Sequence, residues 1–192
     1  MNNKQKSWLL VGPVIFSFSM AMTSPVVHIY FMRLIDASVL AVANMISVGI
    51  AAMTNTSVTR NGFLEWYDKH FTLIVVTDVL LFTVISFAGM EWATIRFIGM
   101  ARINAISTTL WICVMQNAIN AVVKGKELTI WQSLASCYEL YASLAGGLVI
   151  LLIGDMHIEL AIAIQCTANL FMGLTDLKAR KLLLKGDEKG GL

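Results

Sequence analysis

Three ionisable residues stand inside long apolar stretches of the 192-residue chain: Asp78, Arg102 and Glu139. Each lies near the middle of its stretch. A charge at the centre of a membrane-spanning helix costs at least ~2.5–3.5 kcal/mol, so such a residue faces protein or water and marks a functional candidate. Two carboxylates and one guanidinium at similar depth do not balance. If Arg102 pairs with one acid, the other is left to be neutralised by a proton. A carboxyl group that gains and loses a proton inside a membrane is a proton carrier. The alternative is a structural pair that locks helices together, with the remaining acid facing an aqueous crevice. Arg96, one turn from the outer surface, contacts substrate or snorkels outward on its long stem. His28, beyond Pro25, is a pathway residue or a hydrogen-bonded packing residue. Tyr138, with Glu139, Tyr141 and Ser143, gives its stretch a mixed polar and aromatic character that suits a lipophilic or cationic ligand.

Those residues need helices to hold them at depth. The composition is 57% hydrophobic and 14% charged, against about 45–50% apolar content in soluble domains. The apolar residues come in blocks of roughly 20, the length that crosses a ~30 Å hydrocarbon core. Six spans are expected, over about residues 8–32, 37–53, 71–89, 92–123, 129–153 and 157–174. Helix is expected over strand because the blocks are long and uninterrupted, whereas a membrane strand is ~10 residues of alternating polarity. The first span carries Pro13, Pro25, Ser17, Ser19, Thr23 and Ser24, whose hydroxyls either satisfy backbone groups freed by proline or mediate helix packing. Residues 1–175 form a single six-helix domain and residues 176–192 a basic tail, a segment for the anionic inner leaflet or the end of the last helix.

The connections carry the orientation. Lys4, Lys6, Arg60, Lys69, Lys124, Lys126, Lys178, Arg180, Lys181, Lys185 and Lys189 fall on one set of connections, and Arg33 alone on the other. An excess of Lys and Arg marks the cytoplasmic side, which puts both termini there and makes the number of spans even. Six spans divide into two triplets of opposite orientation, an inverted 3+3 repeat of the kind common in secondary transporters. The expected location is a plasma membrane, as in a bacterial inner membrane, with multiple passes.

Several classes are excluded. No HExxH, GxSxG, GxxxxGK[ST] or CxxC pattern occurs, so the chain is not expected to be an enzyme. Cys113, Cys137 and Cys166 lie in apolar stretches without metal-ligand spacing, and the histidines are far apart; neither a metal site, a cofactor nor a disulfide framework is expected. A net charge of +2 gives no footprint for nucleic acid.

Six helices, a cytoplasmic amino terminus, a longer basic loop between the second and third spans and a polar fourth span resemble one half of a major facilitator superfamily transporter. The loop holds Gly62-Phe63-Leu64-Glu65 and Asp68-Lys69, similar in content but not spacing to that family's gating motif; the resemblance makes Gly62, Glu65, Asp68 and Lys69 a gating loop. Arg96 and Arg102 stand where the family has a cavity-facing arginine. Gly146-Gly147 stands where its antiporters have a glycine pair, without their proline. The resemblance implies that two copies, related by a two-fold axis along the membrane normal, enclose one pathway for a small organic molecule and protons. The alternatives are a non-transporting accessory or immunity-type protein derived from such a half, and another small six-span exporter of amino acids or metal ions.

Overall fold

The computed structural model describes residues 3–57, 62–87 and 114–187. These residues are almost wholly helical, with no strand among them. The helices are α1 (Asn3–Leu34), α2 (Ala37–Ser57), α3 (Phe63–Lys69), α4 (Phe71–Ser86), α5 (Gln116–Val122), α6 (Lys126–Ile153) and α7 (Ile158–Asp187). Three segments are long and apolar enough to cross a membrane: Lys4–Leu34, Lys126–Ile153 and Ile158–Leu184, of 31, 28 and 27 residues. At about 1.5 Å per residue each exceeds the ~30 Å hydrocarbon thickness. α2 and α4 are apolar but shorter as candidates.

Two findings refine the expected elements. The connection between the second and third apolar stretches is largely helical: α2 runs on to Ser57, and α3 occupies Phe63–Lys69. The last apolar stretch does not end near Leu174, because α7 continues unbroken to Asp187. Its later turns are held by packing, as Ala179 and Leu183 are fully buried. The turn before α7 is set by Gly154, at φ 76, whose amide bonds Ile150 O at 2.9 Å and stops α6. Glycine takes that left-handed geometry without a Cβ clash.

The chain forms two compact units. The first comprises Met1–Pro25 with Met115–Leu192, and the second Val26–Val114.

In the first unit α1 runs antiparallel to α7. Gln5 Nε2 donates to Leu182 O at 3.0 Å, the Lys178 ammonium sits 6.0 Å from the centre of the Trp8 ring, and Gly12 lies against Thr175. α6 runs parallel to α1, with Lys6 Nζ 3.6 Å from Glu127 Oε1 at one end and Gly146 against the Phe18 carbonyl and Ala21 further along. The start of α1, the start of α6 and the end of α7 therefore share one end of this unit. α5 packs on α7 and buries Met115, Ile119 and Val123. Small residues mark the contacts: Gly12, Ala142, Gly146, Ala161, Ala168, Gly173 and Ala179 are all buried. Between helices that are equally apolar on every side, close backbone approach supplies the attraction.

In the second unit α3 packs on α4. The buried side of α4 is the stripe Phe71, Val75, Asp78, Phe82 and Ser86, spaced three and four apart. Its opposite side exposes Leu73, Val76, Leu80, Leu81 and Val84. Such a broad apolar exterior is unusual for a protein surface in water.

The two adjacent glycines of α6 give a paired prediction. A Cβ at Gly146 would collide with the Phe18 carbonyl, whereas one at Gly147 meets nothing within 4 Å. Gly146→Leu should lower the melting temperature by about 2–8 °C, through an overpacking cost of roughly 1–3 kcal/mol. Gly147→Ala should leave it unchanged or raise it, since alanine favours a helix by up to ~1 kcal/mol over glycine. Thermal circular dichroism of the purified variants checks both.

Candidate functional site

Asp78 is the most deeply placed acid among the sequence candidates. It is the eighth of the sixteen residues of α4 and only 5% exposed. The helix forms because its residues are nearly all apolar, and it presents one stripe inward. Asp78 lies on that stripe between Val75 and Phe82. Two turns on, Ser86 is fully buried and its Oγ has no hydrogen-bond partner among the described residues. Thr83 is committed locally, donating to Val79 O at 2.8 Å. The inward stripe of α4 thus carries a carboxylate and a hydroxyl in an otherwise apolar setting.

Glu139 is half-buried on α6. It precedes Ala142 by three residues and Gly146 by seven, which places it on the side of α6 that meets α1. It makes no hydrogen bond or ion pair among the described residues. Tyr138 and Tyr141 are exposed beside it, next to Leu134, Leu140 and Leu144. Glu139 and Tyr138 belong to the first unit, Asp78 and His28 to the second. His28 is exposed on α1. Arg96 and Arg102 lie outside the described residues.

The residues assigned to a gating loop are on and beside a helix. Gly62 immediately precedes α3, and Glu65, Asp68 and Lys69 point outward and are exposed. The other side of this short helix is aromatic. Phe63 stacks on Tyr67 with ring centres 5.3 Å apart, and Trp66 stacks on His70 at 4.7 Å. The His70 ring also reaches Trp66 O, with Nδ1 at 2.8 Å, while its amide bonds the same carbonyl at 3.1 Å. Aromatic residues at 63, 66, 67 and 70 follow a helical period that was legible in the sequence.

One hydroxyl of the first span is committed locally. Thr23, fully buried, donates to Ser19 O at 2.6 Å. That carbonyl is four residues back in the helix, and it is not the Ala21 carbonyl that Pro25 deprives of its usual partner.

Gln165 and Asn169 on α7 are polar residues that a search for charges passes over. Both are buried, and Gln165 Oε1 and Asn169 Nδ2 have no hydrogen-bond partner among the described residues. Their signal in the sequence was two amides four apart in an apolar run. No group of three or more His, Cys, Asp or Glu side chains arranged for a metal ion occurs among the described residues. Neither known protein families, nor curated proteins, nor solved structures give a match to this chain.

Gly62 has φ 77, and nothing lies within 4 Å of an added Cβ, so backbone conformation alone constrains the position. Gly62→Ala should destabilise the start of α3 by roughly 1 kcal/mol, and Gly62→Asn by less, because asparagine tolerates the left-handed region. Hydrogen exchange of the amides of residues 63–69 should quicken about fivefold in the alanine variant.

Proposed function

We propose that this chain is a secondary membrane transporter that exports a small organic compound in exchange for protons. The observation that carries the reading is Asp78, a buried carboxylate at the middle of an apolar helix. A residue so costly to insert is retained where its charge is used. Asp78 and Glu139 are the groups that take up and release the proton. Arg102 is the counter-charge at similar depth, Arg96, His28 and Tyr138 line the route, and the helix bearing Glu65, Asp68 and Lys69 gates its inner end.

The proposed assembly is a six-span unit with both termini cytoplasmic, similar to one half of a major facilitator superfamily transporter. Two copies related by a two-fold axis enclose the pathway. The proximity of Gln5 to Leu182 supports an even number of crossings, because it brings the start of α1 beside the end of α7. The concentration of Lys and Arg on that side of the chain supports a cytoplasmic position for it.

Purified protein in liposomes with an internal pH dye tests the reading. A panel of small organic compounds, lipophilic cations and neutral carboxamides among them, includes members that should drive proton movement in the wild type, at least tenfold faster than in Asp78→Asn or Glu139→Gln. A strictly monomeric protein that moves no protons with any compound class would instead be a non-transporting accessory protein.

A further inference from the structure

Gln165 and Asn169 are 2% and 9% exposed and stand one turn apart on the packed side of α7. Among the described residues Gln165 Oε1 and Asn169 Nδ2 lack partners, and they do not bond each other although a spacing of four residues suits such a pair. The contacts between α1 and α7 locate them. Gln5 meets Leu182, Trp8 meets Lys178 and Gly12 meets Thr175. Continued along both helices, this antiparallel register brings Ser19 level with Ala168 and Met22, next to Thr23, level with Gln165. The Thr23 hydroxyl at that level is already given to Ser19 O.

Within the apolar segment Ile158–Leu184, Asn169 lies about 3 Å and Gln165 about 9 Å from the midpoint along the axis. A buried amide left unpaired loses its hydration without recompense. One such group is a local defect. An acceptor and a donor together, one turn apart and near mid-depth, form a complementary pair.

We propose that Gln165 and Asn169 form a buried binding subsite for a small uncharged carboxamide, whose N–H donates to Gln165 Oε1 and whose carbonyl accepts from Asn169 Nδ2. Residues four apart rise about 6 Å along a helix, a span that a planar amide covers with one hydrogen bond at each end. Neutral amides offer no countercharge, so the subsite rejects a carboxylate or ammonium, which would remain uncompensated in apolar surroundings. This subsite deepens the transport reading and rests on it for the route by which a carboxamide reaches α7.

The test uses the full chain in lipid nanodiscs and follows thermal unfolding. Nicotinamide and benzamide are compared with nicotinate and benzoate at equal concentration. The amides should raise the melting temperature by about 3 °C and the acids should not. The apolar, similarly sized variants Gln165→Met and Asn169→Leu should abolish the shift. Without ligand they should melt at or above the wild-type temperature, because each removes an unpaired polar group. Variants that melt several degrees lower would show that the amides already bond within the fold, and amides and acids acting alike would show no subsite; either result overturns the proposal. Amide-dependent stabilisation without amide-dependent proton movement in liposomes would keep the subsite and remove the transport reading.

Discussion

A main-chain amide or carbonyl that leaves water must find its hydrogen bond in the protein, and in hydrocarbon no alternative partner exists. A helix meets this condition within itself, turn by turn. The three long segments of α1, α6 and α7 do so over lengths that exceed a bilayer's apolar thickness. Everything polar on their side chains is then placed by the same rule. Thr23, Thr83 and Thr167 return their hydroxyls to the carbonyl four residues back. Asp78, Gln165 and Asn169 are buried in the packed sides of their helices.

Packing in the first unit follows from the apolar exterior of its helices. With Leu, Ile and Val exposed over most of α6, burial of apolar surface does not select which face meets a neighbour. Shape does. Gly12 admits Thr175 and Gly146 admits the Phe18 carbonyl, while a Cβ added at the adjacent Gly147 would meet nothing within 4 Å. Polar contacts then fix the end of the bundle: Gln5 holds Leu182, Lys178 covers Trp8, and Lys6 pairs with Glu127. The Lys6–Glu127 pair is exposed enough to be worth little in stability, so it serves as a marker of register more than as a fastener.

The proposed transport chemistry divides between two kinds of polar group. Carboxylates such as Asp78 and Glu139 exchange protons, whereas the amides Gln165 and Asn169 hold one hydrogen-bonding pattern at every pH. Coupling needs the first kind and recognition is served by the second.

Much of this was legible in the residues themselves. Apolar blocks at about 37–53, 71–89, 129–153 and 157–174 correspond to α2, α4, α6 and α7, because helix hydrogen bonds are local and the block length sets the element. The inward position of Asp78 followed from the same cost of burying charge. The helix α3 was missed although its aromatic period was present, since seven residues are too few to separate from a loop by composition. The continuation of α7 past Leu174 was one of two readings, since the charged residues there read equally as a tail, and the burial of Ala179 and Leu183 decides it. Gln165 and Asn169 were present in the sequence as two amides in an apolar run, and their burial without partners among the described residues singles them out. Sequence thus determined where the chain is helical and which residues are expensive at depth. The tertiary structure alone decided which glycine is a contact, which helices run side by side and which amides remain open, because those depend on the shape of neighbours far away in the chain.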